Sequence, residues 1–188
     1  EGVNVKHSDK VLIGGEWCAA HSGRMIELVS PNTEAVIGSV AEADEADMDA
    51  AVSAARDAFD NGPWGRMGPA ERLPYLKKMA DHLETRLSEL ARTCTLQMGG
   101  LASFAGPMHG GAVMGLRGII GMAENFEFVQ QRPSMAAAAG LVAYEPVGVV
   151  AAIAPWNGPF GIMLNKVAYA LAGGCTVIMK PSTETPLE

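Results

Sequence analysis

Basic residues are scarce in this chain: 14 Lys plus Arg stand against 21 Asp plus Glu over 188 residues, for a formal net charge of -7 and a pI near 5.1. Without a basic run there is no electrostatic footprint for nucleic acid or an anionic membrane, so the expected partner is a small molecule or another protein. Cysteine is scarcer still. Cys18, Cys94 and Cys175 are odd in number and widely spaced, in apolar or helical surroundings, and indicate neither a disulfide framework nor a zinc site. A reducing cytoplasm is the compartment this implies. No basic-plus-apolar leader opens the sequence. The longest glycine-rich apolar stretch, Gly110 to Ala123, is broken by Arg117 and is too short to span a bilayer. There is no internal repeat, and the only low-complexity tract is the four-alanine run Ala136 to Ala139. What remains, 48% hydrophobic and 19% charged, is the composition of a soluble globular protein.

Val11 to Trp17, Met25 to Val29 and Val36 to Val40 are short apolar runs punctuated by Gly14-Gly15, Ser22-Gly23 and Pro31-Asn32-Thr33, which predicts a hairpin or meander. From Asp44 the period becomes helical. Met48, Ala51, Val52, Ala55 and Phe59 predict one buried stripe, ended by Gly62-Pro63. A longer helix opens at Pro69, with Leu73, Leu76, Met79, Leu83, Leu87, Leu90 and Cys94 three or four apart, and stops at Gly99-Gly100. A third helix is expected from Met108 to Gln130, closed by Arg132-Pro133. Its Gly111, Gly115 and Gly118 suit close packing, and its Met108, Met114 and Met122 suit either an apolar entrance or a core. Ala136 to Gly140 reads as a turn before a strand from Leu141 to Glu145.

The stretch Tyr144 to Glu188 carries the most information. A strand from Gly148 to Ala154 runs into Pro155-Trp156-Asn157-Gly158-Pro159. An apolar helix with one lysine, Lys166, follows, and a second strand from Cys175 to Met179 runs into Lys180-Pro181-Ser182. This is a nucleotide-binding α/β unit with polar residues at the carboxyl ends of its strands, where open α/β sheets bind ligands.

Taken in order, Ile13-Gly14-Gly15-Glu16-Trp17, Pro31-Asn32-Thr33, Asp57-Ala58-Phe59 with Pro63-Trp64, Glu145-Pro146-Val147-Gly148-Val149, Pro155 to Pro159, Ala170 to Cys175 and Lys180-Pro181-Ser182 closely resemble the aldehyde dehydrogenase superfamily over essentially the whole chain. The resemblance implies an α/β fragment: an incomplete Rossmann-like cofactor-binding domain, with a small-strand region over 1–43, a helical part over 44–132, one arm of an oligomerisation hairpin over 133–147 and the start of the NAD(P)-binding unit over 148–188. It also implies that Asn157 donates its side-chain amide to the oxyanion formed when a cysteine thiolate attacks the aldehyde. A turn asparagine is the plain alternative. Lys180, by resemblance, bonds the adenosine ribose hydroxyls or a nearby phosphate, with Ser182 and Thr183 beside it. Ile153, Ala154, Pro155 and Trp156 line the adenine and nicotinamide-ribose side, although Trp156 reads equally as core. Lys166 matches a lysine given a proton-relay role in betaine-aldehyde-type relatives, and a structural lysine is an equal reading.

The implied cofactor is NAD or NADP. Thr183 stands where many NAD-preferring relatives carry a glutamate that grips the ribose 2′-hydroxyl, with Glu184 one place later, so acceptance of NADP is expected. None of the three cysteines has the family's nucleophile context, the histidines show no ligand spacing, and the chain by itself is expected to be inactive and of low stability. Leu96 to Leu101 departs from the Gly-Lys-Pro type of turn common in relatives. The leading expectation is part of an NAD(P)-dependent enzyme oxidising a small-molecule aldehyde to a carboxylic acid, in a homo-oligomer (dimer or tetramer). The alternatives are a non-catalytic nucleotide-binding or subunit-association remnant and a CoA-acylating semialdehyde dehydrogenase.

Overall fold

Gly14 and Gly15, at positive φ of 60° and 86°, fold β1 (Lys10–Ile13) back on β2 (Glu16–Ala19). The structure, a computed structural model, describes residue 3 and residues 5–188; Glu1, Gly2 and Asn4 of the expected N-terminal strand region lie outside the described residues. β3 (Met25–Val29) and β4 (Val36–Ala41) form a second antiparallel pair, so the expected meander is two separate two-stranded sheets. Between them the Pro31-Asn32-Thr33 turn has a tertiary role, because the Asn32 amide donates to the Thr95 carbonyl at 3.0 Å.

Asp44 then starts α1 (Glu45–Asp60) with a reciprocal capping box: its carboxylate accepts from the Ala46 and Asp47 amides, and the Asp47 carboxylate accepts from the Asp44 amide. Asp47 also accepts from the His21 amide at 3.0 and 3.1 Å, which pins the strands to the helix. The stripe expected on α1 is buried only in part. Ala51, Ala55 and Phe59 are half-buried, while Val52 stays exposed and Met48 stays exposed at the border of an open cleft.

The long second helix expected from Pro69 is two helices, α2 (Pro69–Glu84) and α3 (Leu87–Met98), broken at Thr85 and Arg86. Thr85 turns its hydroxyl to the His82 carbonyl at 2.7 Å, and Arg86 pairs with Glu89. The apolar spacing runs unbroken through Leu83, Leu87 and Leu90, which is why the pattern hides the break. α4 (Ala102–Asn125) starts six residues earlier than expected and contains Pro107 as its sixth residue, where the missing N–H removes the i→i−4 hydrogen bond to the Ser103 carbonyl. It also ends earlier. Phe126 turns extended, and Phe126, Phe128 and Tyr144 meet edge to face at 4.8 and 5.2 Å. These rings seat a hairpin of β5 (Val129–Arg132) on β6 (Gly140–Ala143), whose first strand begins inside the stretch the sequence suggested was helix.

β7 (Val149–Ile153) and β8 (Thr176–Lys180) are parallel neighbours, joined by α5 (Pro159–Ala172) as the crossover. One stripe of α5, Phe160, Leu164, Ala168 and Ala172, joins Leu73, Leu76, Ala80, Val113, Leu116 and Ile120 of the helical layer. A second stripe, Met163 and Val167, covers Ala152 and Ala154. α1 lies against the same two strands, and the Thr176 hydroxyl donates to the Ala55 carbonyl at 2.8 Å.

Two buried cations organise this core. Arg72, 4% exposed, donates to the carbonyls of Met67 and Ala172, the latter at 3.2 Å at the C-terminal end of α5. Burial lowers its pKa from the ordinary arginine value. Gly174 makes room for it: at φ 89°, a Cβ there would stand 2.9 Å from the Arg72 Nη1. His109, fully buried, places Nδ1 2.7 Å from the Ala105 carbonyl and Nε2 2.8 Å from the Glu188 carboxylate. Both partners only accept hydrogen bonds, so both ring nitrogens donate and the ring is an imidazolium. Burial opposes that charge, but the bonds His109 donates to Glu188 and to Ala105, with the Glu188 charge, outweigh it and hold the His109 pKa above its ordinary value.

A histidine whose folded pKa is raised contributes stability that is fully present below the unfolded value and is lost as pH rises through the folded one. The unfolding midpoint of the wild-type protein should therefore fall as pH is taken upward from about 6.5. His109→Gln should flatten the trend, leaving only the smaller contribution of exposed His21, which Asp44 also raises. Thermal melts across that range check this, and parallel wild-type and variant profiles would refute it.

Candidate functional site

The register pairs Ile153 with Lys180 and the Ala154 amide donates to the Lys180 carbonyl at 3.2 Å, so β7 and β8 end level. Apart from Lys166, the residues the sequence singled out in the last quarter of the chain lie at or next to that edge. On the β7 side, Ala154 is buried while Ile153, Pro155, Trp156 and Asn157 are exposed; the reading of Trp156 as core is therefore wrong, since the residue is 56% accessible. Asn157 sits one residue before the Gly158 N-cap of α5, in a turn short enough to face its amide away from the core. Among the described residues no hydrogen bond holds that amide, which leaves it available to an external acceptor.

On the β8 side, Lys180 is exposed and its ammonium donates to the Pro181 carbonyl at 2.9 Å. The Ser182 hydroxyl donates to the Glu184 carboxylate. That bond, ahead of the Lys180 charge, keeps the Glu184 carboxyl below the usual carboxylate range. Thr183 points into solvent, and a cleft of about 700 Å³ opens beside Lys180, Ser182 and Thr183, walled by β1, α1 and Ile178. Ile153, Trp156 and Asn157 do not line this cleft, so the predicted residues share one edge without forming one closed pocket.

Lys166 lies apart from them. It is exposed on α5, roughly 10 Å along the axis from the first residue of the helix. An exposed lysine with no hydrogen bond or ion pair among the described residues does not fit the reading of Lys166 as a structural lysine.

Sequence reasoning missed four participants: Gln97, His109, Thr185 and Glu188. Thr185, 2% exposed, donates its hydroxyl to the Trp156 carbonyl at 3.2 Å and so ties the two loops together. Gln97 accepts from the Leu187 amide and donates to Glu188, both at 3.0 Å. The only signal for them is Thr185-Pro186, a helix-entry pair; a lone histidine and a lone glutamine on two different helices carry none. Their grouping also brings the ligand atoms of Cys94, His109 and Glu188 within 4.8 Å of one another, a cluster the sequence spacing did not suggest. The direct His109–Glu188 hydrogen bond fills the space an ion would need, so these residues serve as a hydrogen-bonded network. The Cys94 thiol is pushed up to about 12 by burial and then by Glu188, which makes it a poor nucleophile. Cys175 is buried and Cys18 half-buried, and all three are free thiols.

The site fits a dinucleotide in its donor set. An exposed ammonium and two hydroxyl-bearing residues stand at the carboxyl end of a parallel strand beside an open cleft. No described helix is long and apolar enough to cross a membrane.

Comparison with known proteins agrees with this architecture. Geranial dehydrogenase of Castellaniella defragrans is 38% identical over 179 residues, 95% of this chain and 37% of that protein. The NADP/NAD-dependent aldehyde dehydrogenase PuuC of Escherichia coli is 37% identical over 100% of this chain and 38% of its own length. Among solved structures, an aldehyde dehydrogenase of Mycobacterium tuberculosis complexed with NAD+ superposes with a TM-score of 0.91 at 37% identity, covering 95% of this chain and 37% of that one. An NAD-dependent aldehyde dehydrogenase of Sinorhizobium meliloti gives 0.87 at 38%, with 98% and 38% covered. The chain thus spans a little over a third of the length of the relatives it matches. The sequence profile described as the aldehyde dehydrogenase family matches residues 17–188, and with these likenesses it establishes that the chain belongs to that family.

Proposed function

We propose that this chain supplies the oxyanion donor and the adenosine-ribose site of an NAD(P)-dependent aldehyde dehydrogenase that oxidises a small-molecule aldehyde to its carboxylic acid. The observation that carries the reading is the level ending of β7 and β8, which puts the Asn157 turn and the Lys180–Thr183 segment on one edge. Asn157, exposed and unbonded, offers its amide to an oxygen that becomes negative as a nucleophile adds to the carbonyl. Lys180 holds the ribose hydroxyls or a phosphate, with Ser182 and Thr183 beside it, while Ile153, Ala154, Pro155 and Trp156 support the rest of the cofactor through backbone and apolar contact. The cofactor, when bound, accepts a hydride from the substrate carbon. The nucleophilic cysteine and the general base are assigned to the part of such proteins that this chain does not span, since Cys94 is buried and hard to ionise. Lys166 is kept as a secondary, solvent-exposed proton carrier.

In the full-length protein, Asn157→Ala should lower kcat about a hundredfold to a thousandfold with cofactor affinity little changed, the magnitude usual for one oxyanion donor. Steady-state kinetics with an aldehyde series read this directly, and a variant with undiminished kcat would remove Asn157 from the chemistry.

Both NAD and NADP are expected to bind, because Thr183 carries no charge to repel a 2′-phosphate. Thr183→Glu should weaken NADP selectively, and titration of both cofactors against both proteins decides it. Equal response of the two cofactors would show that this position does not set the preference.

The β5–β6 hairpin exposes Val129, Leu141 and Val142, which favours its use in subunit association. Light scattering of the full-length protein should give a dimer or tetramer that Leu141→Asp dissociates. A monomeric wild type would end this part of the reading.

A further inference from the structure

Gln97, His109 and Thr185 take no part in the assignments above, yet they are buried polar side chains 4%, 0% and 2% exposed, drawn from three distant places in the chain. Each is bonded to the segment that follows β8 or to the turn that follows β7. Gln97 of α3 grips residues 187 and 188 from both ends of its amide: Oε1 accepts from the Leu187 amide and Nε2 donates to Glu188, each at 3.0 Å. His109 of α4 donates to the other Glu188 oxygen at 2.8 Å, and the Cys94 sulfur lies within 4.8 Å of the same carboxylate. The imidazole also stacks on Phe160 of α5 with centroids 5.0 Å apart and planes at 23°, three residues beyond Asn157. Thr185 closes the loop by bonding the carbonyl of Trp156, the residue before Asn157.

From this geometry we infer that Gln97, His109 and Thr185 are positioning residues that fix the distance between the Asn157 turn and the Lys180–Thr183 segment, and so set how tightly the dinucleotide is held. The inference rests on the cofactor reading given above. Its physical content is preorganisation. Residues 181–188 form a loop of which only Thr185 is fully buried, and the cost of ordering it on a cofactor falls if helix-borne side chains hold it in place beforehand. An amide, a doubly donating imidazole and a hydroxyl, each set on a rigid element or bonded to one, supply that restraint without touching the ligand.

The test uses the full-length protein with two near-isosteric substitutions, Gln97→Leu and Thr185→Val. NAD and NADP are titrated calorimetrically, the aldehyde KM is measured, and amide hydrogen exchange is followed in residues 181–188 and, for reference, in α2. Each variant should bind both dinucleotides about tenfold more weakly, the loss of one buried hydrogen bond. Aldehyde KM should hold, and exchange should accelerate in 181–188 but not in α2. Thr185→Val changes one atom type and should fold even where Gln97→Leu does not, which thermal melting reports. Unaltered cofactor affinity in a folded variant overturns the inference, and so does accelerated exchange throughout, which would mark a merely structural role. If the wild-type protein binds neither dinucleotide, the cofactor reading falls and takes this inference with it; wild-type binding with unresponsive variants sinks the inference alone.

Discussion

Helix α5 is buried on two sides, and most of what this chain can do depends on that. Its Phe160–Leu164–Ala168–Ala172 stripe packs into the helical layer and its Met163–Val167 stripe onto the small residues Ala152 and Ala154. Apolar burial on this scale is worth about 25 cal/mol per Å² removed from water, enough for one helix to lock two layers together. Because the same helix is the crossover between two parallel strands, locking it brings both strand ends to one edge. Asn157 and Lys180 have no direct bond between them; their proximity is a consequence of how α5 is held.

The buried charges show two solutions to one electrostatic problem. Arg72 keeps its charge among backbone carbonyls at a helix C-terminus, where the dipole favours a cation, and needs Gly174 to leave room. His109 is charged because a carboxylate and a carbonyl face its two nitrogens at once. Breaking such a pair on one side leaves an uncompensated buried charge, so the arrangement holds its parts together more strictly than apolar packing would.

Much of the local structure was legible. The glycine pair at Gly14-Gly15, the change to helical period at Asp44 and the strand–turn–helix–strand unit from Gly148 onward all followed from residue type and spacing. The errors have definite causes. A heptad-like apolar stripe continues through the break at Thr85–Arg86 because both helices face the same layer, so periodicity registers one helix. The expected start of α4 at Met108 lies six residues inside the helix, just past Pro107, which α4 carries in its second turn. The first hairpin strand was read as helix because its seat is an aromatic cluster, Phe126, Phe128 and Tyr144, drawn from two sides of the hairpin.

By itself, the sequence determined most of the strand and helix segments and the family, because these depend on side chains near one another along the chain. Only the tertiary structure decided that Trp156 is exposed, that Lys166 stands apart from Asn157, and that Gln97, His109, Thr185 and Glu188 form one network. Those outcomes depend on helix breaks, crossover packing and the desolvation of groups up to 91 residues apart, such as Gln97 and Glu188. Spacing along a chain carries no record of such distances, since a buried polar residue is recognisable only once its partner has been folded against it.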